Sequence, residues 1–233
     1  MIGCSKYDKL LNSKGTLRFE DMNEAEDEAM FMVEQFKSLN YEVELRLDPD
    51  RKEMDRLFLN VKQIIKETIK AKERILVHFY YTGHGKMKDQ AYMVLNEPEP
   101  KKALFPLESK MRSMSLFPNT CVYALLDCCR EQFNKEDTLQ VAKVQLQANS
   151  KGEKSDTVVE VNEESNRDAQ FFTITFGCPP TLGVQRGSCL GPKYIAHLKG
   201  FADRNNGKLV LPMALVDFND SEEKSETIIK CPW

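Results

Sequence analysis

Apolar positions along the 233-residue chain fall into runs of two periods. In residues 27–39, Ala29, Met32, Val33, Phe36 and Leu39 recur at helical spacing with charge on the opposite side, which predicts an amphipathic helix. Residues 41–47, YEVELRL, alternate apolar and charged positions as a half-buried strand does, and stop at Asp48-Pro49. Met54, Leu57, Phe58, Val61, Ile65 and Ile69 then hold a helical period for about four turns. Residues 75–81, ILVHFYY, and 122–126, VYALL, are apolar on both faces, as central strands covered by helices on two sides are. Between them, 86–97 reads as a polar turn leading into a short strand at 92–95, and 107–116 as a helix presenting Leu107, Met111 and Met114. Residues 1–4 supply only a short first strand, as if the chain entered it part-way. Strand and helix alternate up to this point, which predicts an α/β sheet of mostly parallel strands whose loops gather at the carboxyl edge.

From 131 to 170 Lys, Glu, Asp, Asn, Gln and Ser dominate, so this segment is expected to be an exposed linker, with 141–146 a short helix or strand within it. Order is expected to resume with a strand at 171–176, FFTITF, followed by a helix near 194–202. A run of undetermined type at 209–218 and a last strand at 227–230 close the chain. No internal repeat is present. The linker reads as a seam within one domain.

Composition narrows the classes. A formal net charge of -3 with both signs interspersed gives no basic field of the kind that phosphate backbones attract, so nucleic acid is not an expected partner. The longest apolar runs fall far short of the roughly 20 residues that cross a bilayer, and no signal-peptide pattern opens the chain. A cytoplasmic protein with no membrane association is expected. Seven cysteines include one vicinal pair and no CxxC spacing of a zinc or redox site, which fits reduced thiols and no bound metal.

Two polar tips carry the candidate chemistry. The first apolar strand ends in Thr82-Gly83-His84-Gly85, and the second in Asp127-Cys128-Cys129-Arg130; both lie on the same edge of a parallel sheet. A cysteine nucleophile needs a base or ion-pair partner because only the thiolate attacks. Of three histidines, His78 lies inside an apolar strand and His197 inside a helix. His84 follows a strand and sits between two glycines, where backbone and substrate can approach closely.

Strand-His84-Gly85 followed 45 positions later by strand-Asp127-Cys128-Cys129-Arg130 resembles the caspase-like cysteine peptidases, a superfamily of caspases, metacaspases and paracaspases. Metacaspases and paracaspases carry aspartate two residues before the cysteine, as here. Residues 2–7 resemble the end of the family's first strand, 36–43 its first helix running into the second strand, and 171–198 the start of its small subunit. The resemblance implies a three-layer α-β-α fold with a mostly parallel central sheet, spanning residues 1–233 as one domain. Residues 1–130 would correspond to the large subunit, 131–170 to the linker and 171–233 to the small subunit.

The resemblance also assigns roles. Cys129 would be the nucleophile and Cys128 a neighbour pointing elsewhere. His84 would pass a proton to the leaving amine, and the N–H groups of Gly85 and Cys129 would form the oxyanion hole. Asp127, with Glu28 near the start of the first long helix, would line S1 and select Arg or Lys at P1. Arg186, in the segment expected to complete S1, either repels a basic P1 residue or recognises an acidic one. No cofactor is required by the motifs; many metacaspases are activated by calcium, but no EF-hand spacing is present to argue it. Expected partners are protein or peptide substrates, with a protein partner or homodimer left open by the short first strand. Lys135, Lys143, Lys151, Lys154 and Arg167 offer basic cleavage positions for self-processing in the linker. The alternative is a catalytically silent caspase-like scaffold, suggested by Glu131 standing where the family's nucleophile loop usually continues with glycine or serine.

Overall fold

The computed structural model describes residues 1–10, 19–87, 90–128, 131–132, 171–176, 190–204 and 226–230. Its centre is β3 (Ile75–Gly83), paired in parallel register with β7 (Thr120–Cys128) from Ile75↔Thr120 to Gly83↔Cys128. Around this pair a six-stranded sheet forms from β1 (Ile2–Gly3), β2 (Arg46–Leu47), β9 (Phe171–Phe176) and β10 (Glu226–Lys230). The strand order is β10-β9-β7-β3-β1-β2, with only β10 antiparallel to its neighbour.

Side chains of β3 and β7 alternate between two helical layers, as the period of two requires. Phe79 and Tyr81 of β3, with Val122, Ala124, Leu126 and Cys128 of β7, pack under α2 (Arg51–Lys70) and α4 (Leu107–Ser115). Tyr80, Tyr123 and Leu125 face the opposite layer, made by α1 (Glu24–Ser38) and α5 (Leu190–Arg204). This is the three-layer α-β-α arrangement expected. Continuous apolar runs mark these two strands because each is covered on both faces.

The helices are set by local chemistry. A reciprocal capping box, in which Asp50 accepts from the Glu53 N–H and Glu53 from the Asp50 N–H, starts α2. Glu24, Glu26 and Asp27 occupy the first turn of α1 and Lys37 its last, each sign offsetting the nearer end of the helix dipole. The helix begins at Glu24, and Ala25 in its first turn already belongs to the buried stripe. Gly3 allows β1 to lie against α1: a Cβ there would stand 2.8 Å from the Ala25 carbonyl oxygen.

A second sheet, ordered β6-β5-β4-β8, lies beyond the carboxyl edge. It comprises β4 (Gly85–Met87), β5 (Ala91–Val94), β6 (Leu104–Pro106) after the short helix α3 (Pro100–Ala103), and β8 (Glu131–Gln132). Here the sequence expectations are corrected. The polar stretch from residue 86 contains a strand, and residues 131–132, expected as linker, pair with Lys86 and Met87. Neither is long enough to show an alternation.

Another correction concerns residues 41–47, of which only Arg46 and Leu47 form a strand. A strand needs a neighbour, and β1 pairs with β2 only through Ile2 and Gly3. On its β1 side β3 is paired only at Tyr81 and Thr82. Residues 41–44 and the half-exposed residues 75–78 instead border an open cleft of about 560 Å³. The expectations for residues 133–170, 177–189 and 209–218 lie outside the described residues.

Candidate active site

Gly83 and Cys128 end the β3–β7 ladder opposite one another. The chain is next described at Glu131, which pairs with Lys86. The two described neighbours of the 129–130 dipeptide thus stand opposite Gly83 and Lys86, and so flank His84-Gly85. Cys129 itself lies outside the described residues, as does Arg186. Cys128 is buried in the core layer under α2 and α4, facing away from the α1 layer.

His84 is held from every side. Its backbone N–H donates to the Tyr7 hydroxyl at 2.8 Å, and its carbonyl accepts from the Tyr81 hydroxyl at 2.6 Å and from the Val94 N–H at 3.0 Å. The imidazole meets the Tyr7 ring edge-on with centroids 4.6 Å apart, and the Phe19 ring lies 4.9 Å away. Its Nε2 is 2.8 Å from the Glu20 carbonyl oxygen. A carbonyl only accepts, so Nε2 carries the hydrogen and Nδ1 is the basic nitrogen of the neutral ring.

Gly83 makes this approach possible. Its φ is +147°, and a Cβ would stand 2.6 Å from the Tyr81 hydroxyl and 2.7 Å from that of Tyr7. Tyr7 reaches the site because the loop after β1 is pinned by side chains. Asp48 accepts from the Ser5 N–H and hydroxyl and from the Lys6 N–H, and Asp21 accepts from the Tyr7 N–H at 2.8 Å.

Gly85 begins β4 in register with Met93. Because the Val94 N–H donates to the His84 carbonyl, Gly85 and Met93 form a non-hydrogen-bonded pair, and the Gly85 N–H points away from β5. That is the side of β4 on which β8 pairs.

The acidic pair assembles on the other face of the strand ends. Asp127 and Thr82 are register partners, and the Thr82 hydroxyl donates to Glu28 Oε2 at 2.8 Å. Thr82 therefore links the α1 carboxylate to the strand that carries Asp127, which is 3% exposed. Within Glu26-Asp27-Glu28, only Glu28 is half-buried; the other two are exposed. Burial raises the Glu28 pKa, the Thr82 hydrogen bond opposes this, and the nearby Asp127 and Glu24 raise it further.

Sequence reasoning named His84, Gly85, Asp127 and Glu28, and the structure brings them to one sheet edge. It missed Tyr7, Phe19, Glu20, Tyr81 and Thr82. Tyr81 and Thr82 were visible only as residues next to the Gly83-His84 tip, and no local pattern marks a backbone carbonyl such as that of Glu20. Among the described residues no group of three or more His, Cys, Asp and Glu is arranged to hold a metal ion. No described helix is long and apolar enough to cross a membrane.

The fold and strand ends define an α/β protein with its site at the carboxyl edge of a mostly parallel sheet. A family model described as the caspase domain matches residues 1–213, and the chain belongs to that family of cysteine peptidases. No curated protein matches the chain.

Proposed function

We propose that the protein is a cysteine endopeptidase using a Cys129–His84 dyad to cut after Arg or Lys. The observation that carries this reading is the register of the strand ends: Cys128 and Glu131, on either side of Cys129-Arg130, pair with Gly83 and Lys86, on either side of His84-Gly85. In this reading the Cys129 thiol gives its proton to His84 Nδ1, the thiolate so formed attacks the scissile carbonyl carbon, and the N–H groups of Gly85 and Cys129 receive the oxyanion. Collapse of the tetrahedral intermediate breaks the C–N bond, and His84 Nδ1–H gives its proton to the leaving amine. His84 then takes a proton from water, whose oxygen displaces the Cys129 sulfur and releases the acid.

Glu28 and Asp127 support the choice of a basic P1 side chain, since a guanidinium or ammonium would be attracted by both carboxylates. In motif the chain sits nearest metacaspases and paracaspases, with protein or peptide substrates. Arginyl and lysyl fluorogenic peptides, assayed with and without calcium, test the reading. Turnover abolished by Cys129→Ala and by His84→Ala, together with labelling of Cys129 by an arginyl chloromethylketone, is expected. A purified protein that neither turns over nor is labelled would leave the scaffold reading in its place. Labelling that persists in Cys129→Ala would remove the residue assignment instead.

A further inference from the structure

The His84 backbone is held by side chains as well as by strand pairing. Tyr7 sits beneath the histidine with its hydroxyl accepting from the His84 N–H at 2.8 Å and donating to the Cys4 carbonyl at 3.0 Å, while its ring edge packs on the imidazole. Tyr81, two residues before Gly83 on the same strand, donates to the His84 carbonyl at 2.6 Å and stands 3.3 Å from that of Val94. Both tyrosines are fully buried. Their hydroxyls are also the two atoms that leave no room for a side chain at Gly83.

We infer that Tyr7 and Tyr81 are positioning residues that set the imidazole of His84 through its own backbone, an inference that rests on the dyad reading of the site. The peptide units on either side of the His84 Cα are each held, the preceding one through its N–H by Tyr7 and the following one through its C=O by Tyr81, so neither turns freely about the chain direction. With the backbone fixed, the ring has little choice left: Tyr7 and Phe19 pack against it, and Glu20 C=O takes the Nε2 hydrogen. Nδ1 is thereby aimed by backbone grip, ring packing and one carbonyl contact. The phenols suit this task because burial raises both pKa values well above the ordinary range, so each stays a neutral donor at every working pH. Tyrosine is also economical of conformational freedom, since only two side-chain torsions are fixed.

A structural role for the same hydroxyls would cost stability alone; a positioning role costs turnover. Tyr7→Phe and Tyr81→Phe keep the rings and remove the grip. Each is expected to lower kcat by about 10- to 100-fold, the range set by sub-ångström misplacement of a reacting group, with KM within about twofold of the parent. Tyr194→Phe is the control, because it also loses a buried hydroxyl contact, 3.1 Å from His78 Nε2, in a different layer; it should lower Tm comparably and keep kcat. Phe19→Leu, at a half-exposed position, relaxes one wall of the ring cage without threatening the core and should lower kcat several-fold. The nitrogen-15 signals of His84 provide a readout independent of turnover: the Nε2–H form in the parent, a mixture of tautomers in Tyr7→Phe. Parental kcat and an unchanged tautomer in the variants, or losses matched by Tyr194→Phe, would overturn the inference. An inactive parent whose tautomer still loosens in Tyr7→Phe would refute the peptidase reading and leave the positioning intact.

Discussion

His78 lies in the half-exposed first part of β3 with its Nδ1 shielded from water; it has no role in the proposed chemistry, and replacing it with phenylalanine should change how stability depends on pH. Its ring lies among Phe36, Tyr41 and Tyr123, with centroids 5.0, 5.1 and 5.1 Å away, and Nε2 is 3.1 Å from the Tyr194 hydroxyl. Burial lowers its pKa from 6.5 to about 3. The folded protein therefore keeps His78 neutral where the unfolded chain takes up a proton, and stability falls as pH drops below about 6.5. Linkage gives a loss of about 2 kcal/mol between pH 8 and pH 5, and up to about 5 kcal/mol as pH approaches 3. The pH 5 figure hardly depends on how low the folded pKa lies. Phenylalanine keeps the ring contacts, removes the nitrogen that meets the Tyr194 hydroxyl at a cost of about 1 kcal/mol, and has nothing to titrate. Denaturant unfolding at pH 8, 6.5 and 5 should show the variant less stable at pH 8 and its deficit reversed at pH 5. Glu28, whose raised pKa acts in the opposite direction, is common to both proteins and cancels in the difference. Parallel stability–pH curves for parent and variant would refute the argument.

The acidic pocket makes a second pH prediction. Cation binding needs Glu28 ionised, so kcat/KM for arginyl peptides should fall as pH drops through its raised pKa, and Glu28→Gln should lose that limb while raising KM about tenfold or more. Gly83→Ala must accommodate a Cβ 2.6 Å from the Tyr81 hydroxyl at a φ of +147°; thermal unfolding should show a loss of about 2–4 kcal/mol, with turnover lost as the two tyrosines shift.

Continuous apolar runs announced β3 and β7 because these strands lie between two helical layers, and the residues just past each run supplied the polar tips. The period of 3.6 announced α1 and α2 but not the first turn of α1, where Ala25 is buried. Shorter elements carried no such signal. Three residues of β4 and two of β8 are too few for a period, and both exist because backbone hydrogen bonding with neighbours is available. The strand expected over 41–47 shows the converse, since alternation without a paired neighbour left only two residues in a ladder.

By itself, then, the order of apolar and polar residues determined an α/β sheet of mostly parallel strands and put the strand-end His84 forward, while the three layers and the roles of Asp127 and Glu28 came from the family resemblance of the motifs. Local pattern suffices for the strands and helices because burial on a sheet or helix face is read directly from spacing. Only the tertiary structure decided that Thr82 joins Glu28 to the strand bearing Asp127, and that Tyr7, Tyr81, Phe19 and the Glu20 carbonyl hold His84. These contacts span up to 77 positions along the chain. Hydrogen bonds between groups so far apart leave no mark on either local sequence; they exist only once the sheet has brought the strand ends together.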